Sequence, residues 1–301
     1  METAIEFRRL TKYYGAQRGV VDLDLDVRSG EVFGFLGPNG AGKTTTIRVL
    51  LDLIRPTRGS ATLLGLDAQA DSQEVRRRVG YVPGDPSLYL NLTGQELLTY
   101  LANVRGGVDW SNVLVLADRL ECDLSRRIGA LSRGNRQKLV VIKAFMGEPE
   151  ILVLDEPTSG LDPLMQEVFE DILREVNARG TTVFLSSHIL PDVEQLCDRV
   201  GIIRAGRLVD VADIDALKTR AFRTLEIEFA RPVPAQDFAG LDGVRNVTVS
   251  DNTLRCDIVG ALDPLIKTAA RYEVTGLTTH EASLEEIFLA YYGGEDDDDA
   301  G

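Results

Sequence analysis

Gly37-Pro38-Asn39-Gly40-Ala41-Gly42-Lys43-Thr44-Thr45 reads G-x-x-x-x-G-K-T, the spacing of a phosphate-binding P-loop. Its flanks are in the right order. The apolar run Val32-Phe33-Gly34-Phe35-Leu36 precedes it as a strand. Ile47, Leu50, Leu51 and Ile54 follow at helical spacing. Glycines at these positions let backbone N–H groups turn inward around a phosphate, with a helix N-terminus behind them. Such a loop puts Lys43 on the β- and γ-phosphates of a nucleotide and the Thr44 hydroxyl on Mg²⁺.

Working outward, the next informative stretch is Ile151-Leu152-Val153-Leu154-Asp155-Glu156. A continuous apolar run fits a parallel strand covered on both faces. Two carboxylates at its end suit phosphoryl chemistry, Asp155 binding Mg²⁺ and Glu156 polarising an attacking water as general base. Shortly before it, Leu131-Ser132-Arg133-Gly134-Asn135 opens a helix, where backbone N–H groups and a hydroxyl suit an anion. A second anion-binding helix end has no obvious use in a closed, one-site monomer. It becomes useful if two chains pair head to tail.

The remaining elements fall around these. Residues 5–10 read as an edge strand. Val21, Leu23, Leu25 and Val27 alternate with Asp22, Asp24 and Asp26, the pattern of a half-buried antiparallel strand. Between them Thr11-Lys12-Tyr13-Tyr14-Gly15 offers an aromatic face on which an adenine ring could stack. Short strands are expected at 61–64 and 79–82, and a mainly helical region from about 88 to 146, opened by the capping box Thr93/Glu96. Asp162-Pro163 reads as an N-cap with proline at the first helical position. A helix to about Ala178, a stop at Gly180 and a strand at 182–186 complete a strand–helix–strand unit. His188 follows directly. Residues 201–203 and 207–209 form a final strand pair around Ala205-Gly206. After about Ala221 the pattern changes to a small α+β module: strands at 224–230, 244–250, 253–259 and 274–280, a helix at 262–271, and a last helix capped by Ser283 with Glu286. His280 is read there as structural, and Glu295-Asp296-Asp297-Asp298-Asp299 as a solvated tail.

Composition narrows the classes. A chain of 301 residues holds one large domain or a domain with an appendage. The net charge of −14 is the wrong sign for a nucleic-acid footprint. The longest apolar runs fall far short of the roughly 18 residues that cross a bilayer. Met1-Glu2-Thr3-Ala4 lacks the basic flank and apolar core of a signal peptide. Cys122, Cys197 and Cys256 show neither metal-ligand spacing nor a disulfide framework, which leaves packed thiols and a cytoplasmic setting.

Taken in order, the motifs resemble the ATP-binding subunit of an ABC transporter. The matching pieces are the P-loop (Gly37, Pro38, Asn39, Gly40, Ala41, Gly42, Lys43, Thr44, Thr45), the signature Ser132-Arg133-Gly134-Asn135, the Walker B strand ending in Asp155-Glu156, the D-loop Ser159-Gly160-Leu161-Asp162, the switch histidine His188 and the A-loop aromatic Tyr14. The resemblance covers roughly residues 4–215. Residues 222–292, with Ser283-Leu284-Glu285-Glu286-Ile287-Phe288, look like the extension of the ABC-2-type exporter branch.

The resemblance implies an α/β P-loop NTPase with a RecA-like core, an antiparallel β subdomain and a helical subdomain at about 87–147. These make up residues 1–220, followed by an α+β domain at 221–292 and a disordered acidic tail at 293–301. It implies ATP and Mg²⁺ as cofactors. Glu156, His188 and Lys43 would be catalytic, and Thr44 and Asp155 would be metal ligands. Tyr14, the P-loop, Ser132, Gly134, Asn135 and Asp162 would contact nucleotide, Asp162 also bridging protomers. It further implies a second nucleotide-binding domain, identical or not, and a membrane permease that would hold the chain on the inner face of the membrane. One departure stands out: Gly84 occupies the position after Tyr81-Val82-Pro83 where the family's Q-loop glutamine is expected, with Asp85 beside it. A soluble ABC ATPase acting on ribosomes or DNA is the alternative reading. A small-metabolite kinase would leave the signature and D-loop unexplained.

Overall fold

The structure is a computed structural model that describes residues 2–216, 223–258 and 260–281. It divides into two compact units, Met1–Ala212 and Asp213–Gly301.

The first unit is built on a six-stranded sheet. Its order is β10 (Arg207–Asp213), β9 (Arg199–Arg204), β3 (Val32–Leu36), β8 (Thr182–Ser187), β7 (Ile151–Asp155) and β6 (Val79–Val82). The pairs β9/β3, β3/β8, β8/β7 and β7/β6 are all parallel. β3, β7 and β8 are buried at every residue, as continuous apolar runs require when both faces are covered. Ala205 and Gly206 close β9 onto β10 with φ of 48° and 77°, the positive values of a tight primed hairpin turn.

A second sheet of order β2-β1-β4-β5 comprises β1 (Thr3–Tyr14), β2 (Gln17–Arg28), β4 (Arg58–Leu63) and β5 (Leu66–Asp67). On β2, Val21, Leu23, Leu25 and Val27 are buried and the intervening aspartates are exposed, as the alternation requires. The edge reading of residues 5–10 is corrected. β1 lies inside this sheet, with β2 on one side and β4 on the other, where Ile5 pairs with Leu63 and Phe7 with Ala61. That pairing joins segments more than fifty residues apart, and no local pattern announces it.

The two sheets share one core. Phe184 of β8 lies at its centre, with ring centroids 6.2 Å from Phe7, 5.9 Å from Phe33 and 5.4 Å from Phe35. Aromatic pairs of this kind contribute roughly 0.5–1.5 kcal/mol beyond their area burial.

Helices cross between strands: α1 (Lys43–Leu50), α2 (Ser72–Arg78), α3 (Gly94–Arg105), α4 (Trp110–Arg119), α5 (Arg133–Phe145), α6 (Pro163–Ala178) and α7 (Leu190–Leu196). The capping box forms as expected, Thr93 accepting from the Glu96 N–H while Glu96 accepts from the Thr93 N–H. Ser132 caps α5 and Asp162 caps α6, with Pro163 following. The helix after the P-loop is shorter than its apolar spacing suggests. It ends at Leu50, Asp52 takes a φ of 53°, and the Leu53 and Ile54 N–H groups both turn back to the Arg48 carbonyl. Ile54 therefore packs on the core from a loop, at helical spacing by coincidence.

The second unit contains a four-stranded antiparallel sheet of order β12-β13-β11-β14, with β11 (Arg223–Phe229), β12 (Val244–Ser250), β13 (Thr253–Ile258), β14 (Val274–Glu281) and one helix, α8 (Asp263–Ala269). Phe229, Phe238 and Tyr272 pack mutually at 5.8–6.0 Å. The expected last helix, the acidic tail and the His280 side chain lie outside the described residues. All three cysteines are free and buried. Among the described residues no helix is long and apolar enough to cross a membrane.

Candidate functional site

The C-terminal ends of β3, β7 and β8 meet at one edge of the parallel sheet, and three loops leave from there. In open α/β sheets this edge is where ligands bind.

The loop from β3 is the P-loop. Gly40 and Gly42 take φ of 80° and 113°, values that bulky side chains resist. Close approach matters as well: a Cβ at Gly42 would lie 2.7 Å from the Gly19 carbonyl oxygen. Ala41 is buried, and its carbonyl accepts the Gly206 N–H at 2.8 Å, fastening the loop to the β9–β10 turn. Lys43 is only 5% exposed. Its ammonium donates to the Gly37 carbonyl at 2.5 Å and the Pro38 carbonyl at 3.2 Å, and lies 3.5 Å from Glu156 Oε1. Burial lowers the Lys43 pKa, with Glu156 and then Asp155 opposing the shift. The amine is thus drawn across the loop, where a phosphate would meet it.

The loop from β7 begins at Asp155, which is 2% exposed. Its Oδ1 accepts the Ser186 hydroxyl of β8 at 2.6 Å and the Thr44 hydroxyl of α1 at 3.3 Å. Glu156 follows at a φ of 50°, with its N–H held by the Ser186 carbonyl at 3.1 Å. This left-handed turn sends the Glu156 side chain a different way from Asp155. The loop from β8 carries His188, whose Nδ1 lies 2.8 Å from Glu156 Oε2.

A cavity of about 480 Å³ opens beside this edge, lined by Tyr14, Pro38, Asn39, Gly40, Gly42, Lys43, Thr44, Thr45 and Glu156 together with Gln17, Arg18, Gly19 and Arg48. Tyr14 is 43% exposed at its mouth. Sequence reading missed the last four. Arg48 had a signal, lying one helical turn beyond Thr44 on the same face. Gln17 and Arg18 had none, because the cross-strand pairs Tyr14/Gln17 and Tyr13/Arg18 bring them to the cavity. Ser186 was read only as a strand residue.

Ser132, Gly134, Asn135 and Asp162 do not line this cavity. They belong to the N-termini of α5 and α6, where Ser132 accepts the Asn135 N–H at 3.2 Å and Asp162 accepts the Met165 N–H at 3.1 Å. Gly84 lies beside Asp155: a Cβ there would stand 3.4 Å from both the Asp155 carbonyl oxygen and Oδ2, an ordinary contact. Asp85 is exposed.

The oxygen pair of Thr44 and Asp155 is a hard, two-ligand set, which fits Mg²⁺ sharing its remaining positions with phosphate oxygens and water. Among the described residues there is no cluster of three or more acidic, histidine or cysteine side chains that could hold a metal without them.

The fold and the residues at this sheet edge define a P-loop nucleotide-binding domain. The family model described as ABC transporter matches residues 20–159. Over 98% of its length the chain is 36% identical to the bacitracin transport ATP-binding protein BcrA of Bacillus licheniformis, covering 99% of that protein. It is 34% identical over 97% of its length to the Nod factor export ATP-binding protein I of Burkholderia orbicola (strain AU 1054), covering 97% of that protein. A solved ATP-binding subunit of an ABC transporter superposes with a TM-score of 0.67 at 33% identity, covering 72% of this chain and 92% of that one. The chain belongs to the ABC transporter family.

Proposed function

We propose that the chain is the ATP-binding and ATP-hydrolysing subunit of an ABC exporter, working on a separate membrane permease. The observation that carries this reading is the convergence of Lys43, Thr44, Asp155, Glu156 and His188 at one sheet edge, beside a cavity mouthed by Tyr14. Names of relatives that match nearly the whole chain, one in bacitracin transport and one in Nod factor export, support the export direction over a soluble role on ribosomes or DNA.

The residues divide the work as follows. Tyr14 stacks on the adenine, and the N–H groups of Gly40, Gly42 and Lys43 cradle the phosphates. Lys43 exchanges its Gly37 and Pro38 carbonyl partners for phosphate oxygens and neutralises charge that develops in the transition state. Thr44 and Asp155 would hold Mg²⁺, which would supply charge neutralisation at the nucleotide phosphates. Glu156 takes the proton of the attacking water, and His188 fixes the orientation of its carboxylate. Ser132, Gly134 and Asn135, remote from this cavity, close over the nucleotide of a second subunit, with Asp162 at the junction. ATP binds the closed pair more tightly than the open one, and that difference drives the motion.

A groove of about 490 Å³ supports the permease partner. It lies between α1, α2, β6, α3 and α5 and is lined by Leu51, Leu53, Tyr81, Leu101, Val104 and Met146 together with Arg105 and Lys143. Leu53 and Val104 are exposed. Burial, and then the neighbouring Arg105, lower the Lys143 pKa. Contact with the permease would hold the chain on the inner face of the membrane.

Glu156→Gln tests the reading. ATP binding should persist while hydrolysis falls about 10²-fold or more, and the variant should elute as a dimer in saturating ATP. Turnover close to that of the parent, or a monomer under those conditions, counts against it.

A further inference from the structure

We propose that Gln137 and Asp192 are positioning residues, gripping the turn at 157–160 from two sides and so holding the Glu156 carboxylate in place. The proposal rests on the assignment of Glu156 as general base.

Glu156 needs such support. Its φ of 50° is a conformation that a non-glycine residue keeps only where its surroundings over-determine it. The chain then folds tightly on itself, with the Ser159 N–H on the Glu156 carbonyl at 3.2 Å and the Leu161 N–H on the Thr158 carbonyl at 3.0 Å. Pro157 and Thr158 are buried. Two groups from outside the turn reach in. From the second turn of α5, Gln137 (4% exposed) donates from Nε2 to the Pro157 carbonyl at 2.8 Å. From α7, Asp192 accepts the Thr158 hydroxyl at 2.9 Å. Two further contacts bring α5 against the same turn. Arg133 donates to the Ser159 hydroxyl at 3.2 Å. Gly134 approaches so closely that a Cβ there would stand 2.7 Å from the Gly160 carbonyl oxygen.

The geometry has a mechanical consequence. A buried amide–carbonyl bond leaves a desolvated carbonyl if broken, so α5 and the turn resist separation. The start of α5, next to Ser132, therefore moves together with the backbone that aims Glu156. On the other side α7 begins two residues after His188, so the grip of Asp192 on Thr158 ties the His188 loop to the same turn. The base is set from both flanks by groups that need touch neither water nor phosphate.

The test uses steady-state and single-turnover hydrolysis by the chain in its transport assembly, with binding of a fluorescent ATP analogue measured in parallel. Gln137→Ala and Thr158→Val should each lower kcat by about 10–100-fold, the scale of a small misplacement of a reacting group, with KM and analogue affinity changed less than about twofold. Thr158→Ser, which keeps the hydroxyl, should restore kcat. Gln137→Glu keeps the side-chain volume but offers a carboxylate that cannot donate to Pro157, and should behave like the alanine variant. In a Glu156→Gln background, Gln137→Ala should cause no further loss, because its effect passes through Glu156. Parental kcat in both Gln137→Ala and Thr158→Val overturns the proposal, as does an equal further loss in the Glu156→Gln background. If Glu156→Gln alone keeps parental turnover, the assignment of the base falls instead, and the two failures are distinguishable.

Discussion

Glu170 shows how one side chain on α6 reports its burial. Its carboxyl is pushed above the ordinary range, first by desolvation, with Arg174 at 3.0 Å opposing the shift. The folded chain therefore holds this proton to higher pH than the unfolded chain. The stabilisation this provides is present below the unfolded value and is lost as pH rises through the folded one. Glu170→Gln keeps the shape and removes the ionisation. It should raise Tm at about pH 8, with the gain shrinking as pH falls toward about 4. Differential scanning fluorimetry across that range measures the effect, and a Tm deficit at high pH would contradict it. At this scale much of the site was legible. Lys43, Thr44, Asp155 and Glu156 stand out because their chemistry requires those side chains beside a glycine loop or at a strand end. Arg18 and Ser186 were not legible, since only strand pairing brings them to the site.

Elements were read best where the signal is local. The Thr93/Glu96 capping box, the Ser132 cap and the Asp162-Pro163 start all form, because each depends on residues within one turn. Ser132→Ala should remove about 1 kcal/mol, typical of losing a side-chain N-cap, measurable as a lower urea midpoint. The P-loop is less forgiving. Gly42→Ala imposes a Cβ both on a φ of 113° and against the Gly19 carbonyl oxygen. It should destabilise by roughly 1–3 kcal/mol and abolish nucleotide binding, readable by thermal melt and by fluorescent-nucleotide titration. A melt unchanged from the parent's would show that the loop relaxes around the added methyl. The helix beyond it was read too long because Ile54 matches a 3.6-residue period from a loop, and periodicity does not register the backbone turn at Asp52.

For the whole molecule, the groove at α3 and α5 brings the assembly within reach of experiment. Among the described residues Lys143 has no acceptor, and Arg105 donates to the Val79 carbonyl at 2.8 Å. Arg76 and Arg77 line the same groove, and a carboxylate on an apolar segment of the permease would complement this cationic lining. Lys143→Glu should reduce co-purification with the permease by about tenfold or more, since breaking a buried charge pair costs several kcal/mol, while leaving nucleotide affinity of the isolated chain intact. Charge exchange at the matching permease carboxylate should restore the complex. Co-purification equal to that of the parent would move the contact elsewhere.

The sequence by itself determined the nucleotide chemistry, the order of motifs and most helix starts. P-loops, strand-end carboxylates and caps are contiguous patterns whose physics acts over a few residues. Only the tertiary structure decided that β1 lies inside its sheet, that Ser186 reaches Asp155, and that Gln137 and Asp192 grip the turn behind Glu156. Each of these joins residues far apart in the chain, and such pairs are specified by packing, which no single stretch contains. The P-loop is legible in nine consecutive residues, whereas the contacts at Pro157 and Thr158 come from α5 and α7.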